Sequence, residues 1–152
     1  MRIALVSVFA GVVFFCTALA QEKPAAESAG VNLAVVAQPS TSYVSGDTTP
    51  SALNDGFDPR SSRDARRGSY GNWPRRGTQW VQYDWSQPVS TNKVDVYWWA
   101  DGQGVNVPKA CRLLRWDGNA FVSVGNPSGL GVVRNQYNTT TFDEVSTSKL
   151  RL

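Results

Sequence analysis

The sequence predicts an all-β chain, folded as an antiparallel sandwich or barrel. Three observations carry this. From Val31 onward, short segments alternate apolar and polar residues with the two-residue period of half-buried strands. Turn formers separate them, with 13 Gly and 8 Pro in 152 residues, enough to divide the chain into many short elements. No stretch sustains the 3.6-residue apolar period of an amphipathic helix. The length is that of one domain.

The N-terminus reads as an address. Met1-Arg2 is a positive start, Ile3 to Leu19 is almost wholly apolar, and Ala18-Leu19-Ala20 precedes polar Gln21-Glu22-Lys23-Pro24. Residues 1–20 therefore read as a secretory signal peptide cut near Ala20, which places the product outside the cytoplasm, secreted or periplasmic. The alternative is a membrane anchor. The apolar run is only about the minimum spanning length, and no basic stop-transfer cluster follows. No stable membrane insertion is expected after cleavage. Residues 21–30, rich in Ala, Glu and Ser, read as a flexible lead-in to a module over 31–152. Cleavage removes Cys16 and leaves Cys111 alone, so the module holds by packing rather than by an internal disulfide. Cys111 reads as a small buried hydrophobe.

The elements follow in order. Asn32 to Ala37 is a short apolar run. Ser51 to Gly56 is a single helical turn, with Ser51 as cap and Gly56 as stop. Trp80 to Trp85 alternates, with Val81, Tyr83 and Trp85 on one face and Gln82 and Asp84 on the other. Lys93 to Trp98 repeats the scheme with Val94, Val96 and Trp98 inward. Arg112 to Trp116 and Phe121 to Val124 flank Asp117-Gly118-Asn119, a hairpin signal. Asn138 to Phe142 and Lys149 to Leu152 complete the set. Trp80, Trp85, Trp98 and Trp116 are expected mostly in the core.

Two long connections remain, 55–78 and 100–108. Long loops in compact domains usually carry function. The first holds Arg60, Arg63, Arg66, Arg67, Arg75 and Arg76, with Tyr70, Asn72 and Trp73 among them. Flat aromatic faces stack on the C–H faces of sugars, while Arg, Asn and Asp bond the hydroxyls. Tyr70, Asn72, Trp73, Arg75 and Arg76 are therefore candidate ligand residues. Trp99 joins them because it must point opposite to Trp98, and Asp101 because it opens the second loop. The plainer reading is a solvated basic loop with Trp73 closing one end of the barrel.

Several chemistries are excluded. The chain has no histidine, so no Ser-His-Asp or Cys-His mechanism and no His-ligated metal can be built within it. No carboxylate spacing singles out a glycosidase pair, and there is no glycine-rich phosphate loop. The expectation is therefore a binding module, not an enzyme. A net charge of +3, lowered by one when Arg2 is cleaved, is too small for a nucleic-acid partner. Asp55 and Asp58 flank Gly56 and could hold a structural calcium ion through oxygen ligands; ordinary turn chemistry is the alternative. Asn138-Thr139-Thr140 is a glycosylation sequon.

Taken together, Asn32-Leu33-Ala34, Ala52-Leu53-Asn54-Asp55-Gly56, Trp80-Val81-Gln82-Tyr83-Asp84, Val94-Asp95-Val96-Tyr97-Trp98, Trp116-Asp117-Gly118 and Lys149-Leu150-Arg151-Leu152 form an ordered series. It resembles the discoidin-like domain, also called the coagulation factor V/VIII type C or galactose-binding-like domain. Asn72 to Tyr83, and Val107-Pro108-Lys109 leading into Arg112-Leu113-Leu114, look closer to one subgroup. That subgroup is the accessory C-terminal module of bacterial glycoside hydrolases of the beta-L-arabinofuranosidase type.

The resemblance covers Asn32 to Leu152. It implies an antiparallel jelly-roll β-sandwich with ligand loops at one end, and often a structural calcium ion for which Asp55 matches the family's aspartate. The family's last strand usually continues several residues past the Lys-Leu-Arg-Leu match, to an acidic calcium ligand. The resemblance thus implies a secreted, non-catalytic carbohydrate-binding module for extracellular glycans, with a glycoside hydrolase catalytic domain as a possible covalent partner. Two alternatives stand beside it: a structural accessory module or fragment of such a hydrolase, and an adhesion-type module for a protein or membrane surface.

Overall fold

The computed structural model describes residues 1–6, 30–64 and 66–152. The expected cleavage point near Ala20 and most of the 21–30 lead-in lie outside them. Six strands form one antiparallel sheet: β1 (Arg2–Val6), β2 (Gln38–Thr41), β3 (Val81–Tyr97), β4 (Leu114–Trp116), β5 (Phe121–Ser123) and β6 (Tyr137–Arg151). The order is β1-β3-β6-β4-β5, with β2 also paired to β3. Among the described residues there is no α-helix, only 3-10 turns at Leu33–Val36 and Pro50–Leu53. The all-β antiparallel class predicted by alternation is the class observed.

The strands are fewer and longer than their sequence signals. The 80–85 and 93–98 patterns belong to one strand, β3, and the 138–142 and 149–152 patterns to another, β6. Their register shifts between Asp84 and Val89 and again between Thr91 and Lys93. Bulges bend a strand and break its alternation, so each long strand reads as two in the sequence. Side chains of both halves of β3 enter one core, Val81, Tyr83 and Trp85 from the first and Val94 and Val96 from the second, joined by Trp98 just past the strand's end. That shared core is consistent with a sandwich.

Polar tips of the core aromatics pin the loops to the sheet. Tyr83 Oη donates to Leu53 O (2.9 Å), Trp85 Nε1 to Leu33 O (2.8 Å) and Trp98 Nε1 to Gly131 O (2.8 Å). A buried aromatic needs such a partner. The apolar run at 32–37 forms a 3-10 turn rather than a strand. Asn32 Oδ1 accepts from Ala34 N, and Asn54 Nδ2 ties the turn down through Ala34 O and Ala37 O. The second turn starts before Ser51, its N-cap being Thr49, and Gly56 bends away from it at φ +69°.

Two expectations change. Trp80 and Trp116 are half-buried at the sheet margin instead of in the core. The Arg151 guanidinium lies 4.6 Å from the Trp80 ring and the Lys149 ammonium 5.8 Å from Trp116, so long basic side chains cover them. Asn138 is no glycan acceptor in the fold. It is buried, and its amide donates to Val96 O, Val133 O and Gln136 O while its Oδ1 accepts from Val133 N. Met1–Val6, the start of the expected leader, pairs as β1, from Arg2 with Tyr97 through Val6 with Lys93.

Candidate functional site

One end of the sheet carries an open cavity of about 550 Å³. It lies where β3 runs out after Tyr97 and the chain approaches β6. Ser62 is its cornerstone. The Ser62 carbonyl accepts from Trp99 Nε1 (2.8 Å), its Oγ accepts from Ala100 N (3.1 Å), and its N–H donates to Asn135 Oδ1 (2.7 Å). Asn135 sits in the left-handed region at φ +62°, which Asn tolerates, and its N–H donates to Trp98 O (3.1 Å). Three loops distant in sequence are thereby fixed to one another.

The cavity wall mixes polar groups with apolar surface, including Ala100. Ser61, Ser62, Asp101 and Asn135 line it beside Arg63 and Arg134. Asp101 Oδ1 accepts from Gln103 N (2.7 Å) and Val105 N (3.0 Å), which keeps its carboxyl below the usual range and closes a tight turn. Neighbouring Asp64 takes both ends of the Arg66 guanidinium at 2.7 Å and the Arg60 N–H at 3.2 Å, and is held well below the usual carboxylate range. Arg66 is thus engaged. Arg63 and Arg134 are exposed, and among the described residues no hydrogen bond or ion pair reaches their side chains. Two free guanidinium groups at a hydroxyl-lined hollow can bind oxygen-rich or anionic groups bidentately.

The residues singled out by sequence divide. Asp101 lines the cavity, and Trp99 supports it from below, half-buried with its indole N–H committed to Ser62. Trp73 stands outside, 57% exposed, its ring against Gly104 on the same loop as Asp101. A Cβ at Gly104 would lie 3.0 Å from Trp73 Cδ1, so a larger residue there would have to push the exposed indole aside. Arg75 lies over the Tyr43 ring at 4.8 Å, Arg76 is exposed, and Asn72 is half-buried with its carbonyl taking the Arg75 N–H. Tyr70 turns inward, away from the cavity lining. It is 6% exposed in the core and its hydroxyl donates to Tyr43 O (2.8 Å). Burial raises that hydroxyl's pKa. Sequence reasoning passed over Ser61, Ser62, Arg134 and Asn135, and placed Arg63 only among the loop arginines. The one local sign was an Arg-Asn pair ahead of a strand.

The Asp55 region is a second polar centre. Asp55 Oδ1, Phe57 O and Gly68 O converge on the Arg2 guanidinium, the two carbonyls at 3.2 and 2.9 Å. These are the hard oxygen donors that calcium prefers, and the point they surround already holds a cation, the chain's own. Asp58 is exposed and does not join them; its charge is felt instead at Tyr97 and Tyr137, whose hydroxyls are raised first by burial. Among the described residues, no three acidic or thiol side chains gather as a metal cluster. Among the described residues Cys111 has no disulfide partner, and burial pushes its thiol up, away from nucleophilic use. No helix among the described residues is long and apolar enough to cross a membrane. No family model, curated protein or solved structure matches the chain.

Proposed function

We propose that this chain is an exported, non-catalytic carbohydrate-binding module of the discoidin-like jelly-roll type. Its glycan site is the cavity of Ser61, Ser62, Arg63, Arg134 and Asn135, with the Trp73 face beyond the Asp101 turn as a stacking platform. One observation supports this above the rest: Arg63 and Arg134 line the hollow beside Ser61 and Ser62, and among the described residues their side chains have no partner. Sugar sites need a few placed polar groups beside an aromatic face, and the Ser62 network fixes the backbone from which Arg63 and Arg134 project. The adhesion reading draws on the exposed Arg67, Arg75 and Arg76. It is weakened because Arg75 covers Tyr43 and Arg66 is tied to Asp64.

In the same reading, Asp55, Phe57 O and Gly68 O would hold a structural calcium ion only where Arg2 is absent from the cradle. The ion would supply the positive charge that Arg2 supplies in the full chain. A glycan array spanning neutral arabinans and galactans tests the function. Retention that survives about 0.5 M salt supports a sugar site, because exposed charge pairs are screened at that ionic strength. Binding that collapses with salt moves the reading to an anionic surface. A blank array from folded protein moves it to a structural accessory module.

A further inference from the structure

The strand β1 arrives at the sheet as a separate piece, joined to the body through residues 7–29. Its backbone runs antiparallel along the Lys93–Tyr97 edge of β3. Met1 and Ile3, 7% and 3% exposed, enter the core cluster that includes Ala34, Val94 and Val96. Arg2 alternates to the other face and is 6% exposed there. Its guanidinium donates to Asp55 Oδ1, Phe57 O and Gly68 O and lies 4.6 Å from the centre of the Phe57 ring. The Met1 amino group donates to Tyr70 O (3.2 Å). Opposite Arg2, the Tyr97 hydroxyl is buried without a hydrogen-bond partner among the described residues.

These are the parts of a strand-addition site: a main-chain edge for affinity and alternating side-chain pockets for selectivity. The edge is β3, the apolar slot takes the first and third side chains, and the oxygen cradle takes the second. We infer that the β3 edge and the Asp55 cradle form a strand-acceptor site, which recognises an N-terminal arginine-aliphatic segment non-covalently. Its occupant is this chain's own Met1–Val6. The site holds that segment after the link is cut, as cleavage of a leader would cut it. A folded chain also buries its own leader start, so export and folding compete for the same six residues.

The test cuts the protein after it has folded. A specific protease sequence is placed between Gln21 and Ala29 of the full chain, the folded protein is cut, and the products are separated by size at micromolar concentration. The N-terminal fragment is expected to co-elute with the body, and the Lys93–Tyr97 amides to keep their protection from hydrogen exchange. A synthetic labelled Met1–Val6 hexapeptide is expected to exchange into the site. The same peptide carrying Arg2→Ala is expected to bind at least about tenfold more weakly, the scale of a lost charged contact. In the uncut chain, Arg2→Ala should speed exchange at 93–97 and not at 81–84, where β2 pairs. Loss of the fragment from the cut chain, whether or not the body stays folded, overturns the inference. So does an Arg2→Ala peptide that binds as well as the parent.

Discussion

Arg2 and the pair Arg63 and Arg134 carry the same group into opposite settings. Arg2 is buried, with three oxygen acceptors and an aromatic ring around its guanidinium. Arg63 and Arg134 stand at an open cavity with no such partners among the described residues. A buried guanidinium is tolerable only when its donors are met, so Arg2 belongs to the fold. An exposed guanidinium needs no partner, so Arg63 and Arg134 are available to a ligand. Residue type does not separate the two roles; the neighbouring oxygens do.

The comparison can be broken at several points. Arg2→Ala removes one partner of a buried ion pair and should cost about 3–5 kcal/mol in denaturant unfolding, because Asp55 is left uncompensated. Arg63→Ala and Arg134→Ala should each stay within about 0.5 kcal/mol of the parent, as surface changes do. A large stability loss in either would place that arginine in the fold as well.

The two tryptophans 98 and 73 sharpen the same contrast. Trp98 is 8% exposed and Trp73 57%. Trp98→Ala should cost about 3–5 kcal/mol as a core truncation. Trp73→Ala should leave the melting temperature nearly unchanged and weaken glycan retention. Calorimetry alongside affinity electrophoresis reads both.

Acid should loosen β1 before it loosens the cavity. Burial, and then the Arg2 charge, push the Met1 amino group down from an ordinary 8.0 to about 5. Between those values the unfolded chain binds a proton that the folded chain does not, so stability rises with pH across that window. The unfolding midpoint should therefore fall from pH 8 to pH 5, and acetylation of the amino group should flatten that slope. A midpoint with equal slope in the acetylated chain would separate Met1 from the effect. Smaller again, Tyr70→Phe should cost about 1 kcal/mol by removing the bond to Tyr43 O, with glycan retention intact.

Much of the sheet was legible because its faces are asymmetric. Val81, Tyr83 and Trp85 alternate in the sequence and are buried in the structure. The Asp117 hairpin was legible too: its Oδ1 accepts from Asn119 N and Ala120 N, and Gly118 takes φ +106°. β1 was not, since Arg-Ile-Ala-Leu-Val fits a leader pattern and a strand pattern equally well. The continuity of β3 was hidden by Ser86-Gln87-Pro88 at its bulge. The candidate site was the least legible part. Its cornerstone Ser62 acts through backbone groups and one hydroxyl, and it meets Asn135 across 73 positions. Tyr70 looked like a ligand residue because loop position suggests exposure, yet the 55–78 connection dips into the core there.

The most direct measurement is glycan retention by the parent, Arg63→Ala, Arg134→Ala and the double variant, at matched folded concentration. Each single change should weaken retention by about tenfold and the double variant should abolish it, with unfolding midpoints unmoved. Retention by the double variant equal to that of the parent would contradict a glycan site in this cavity.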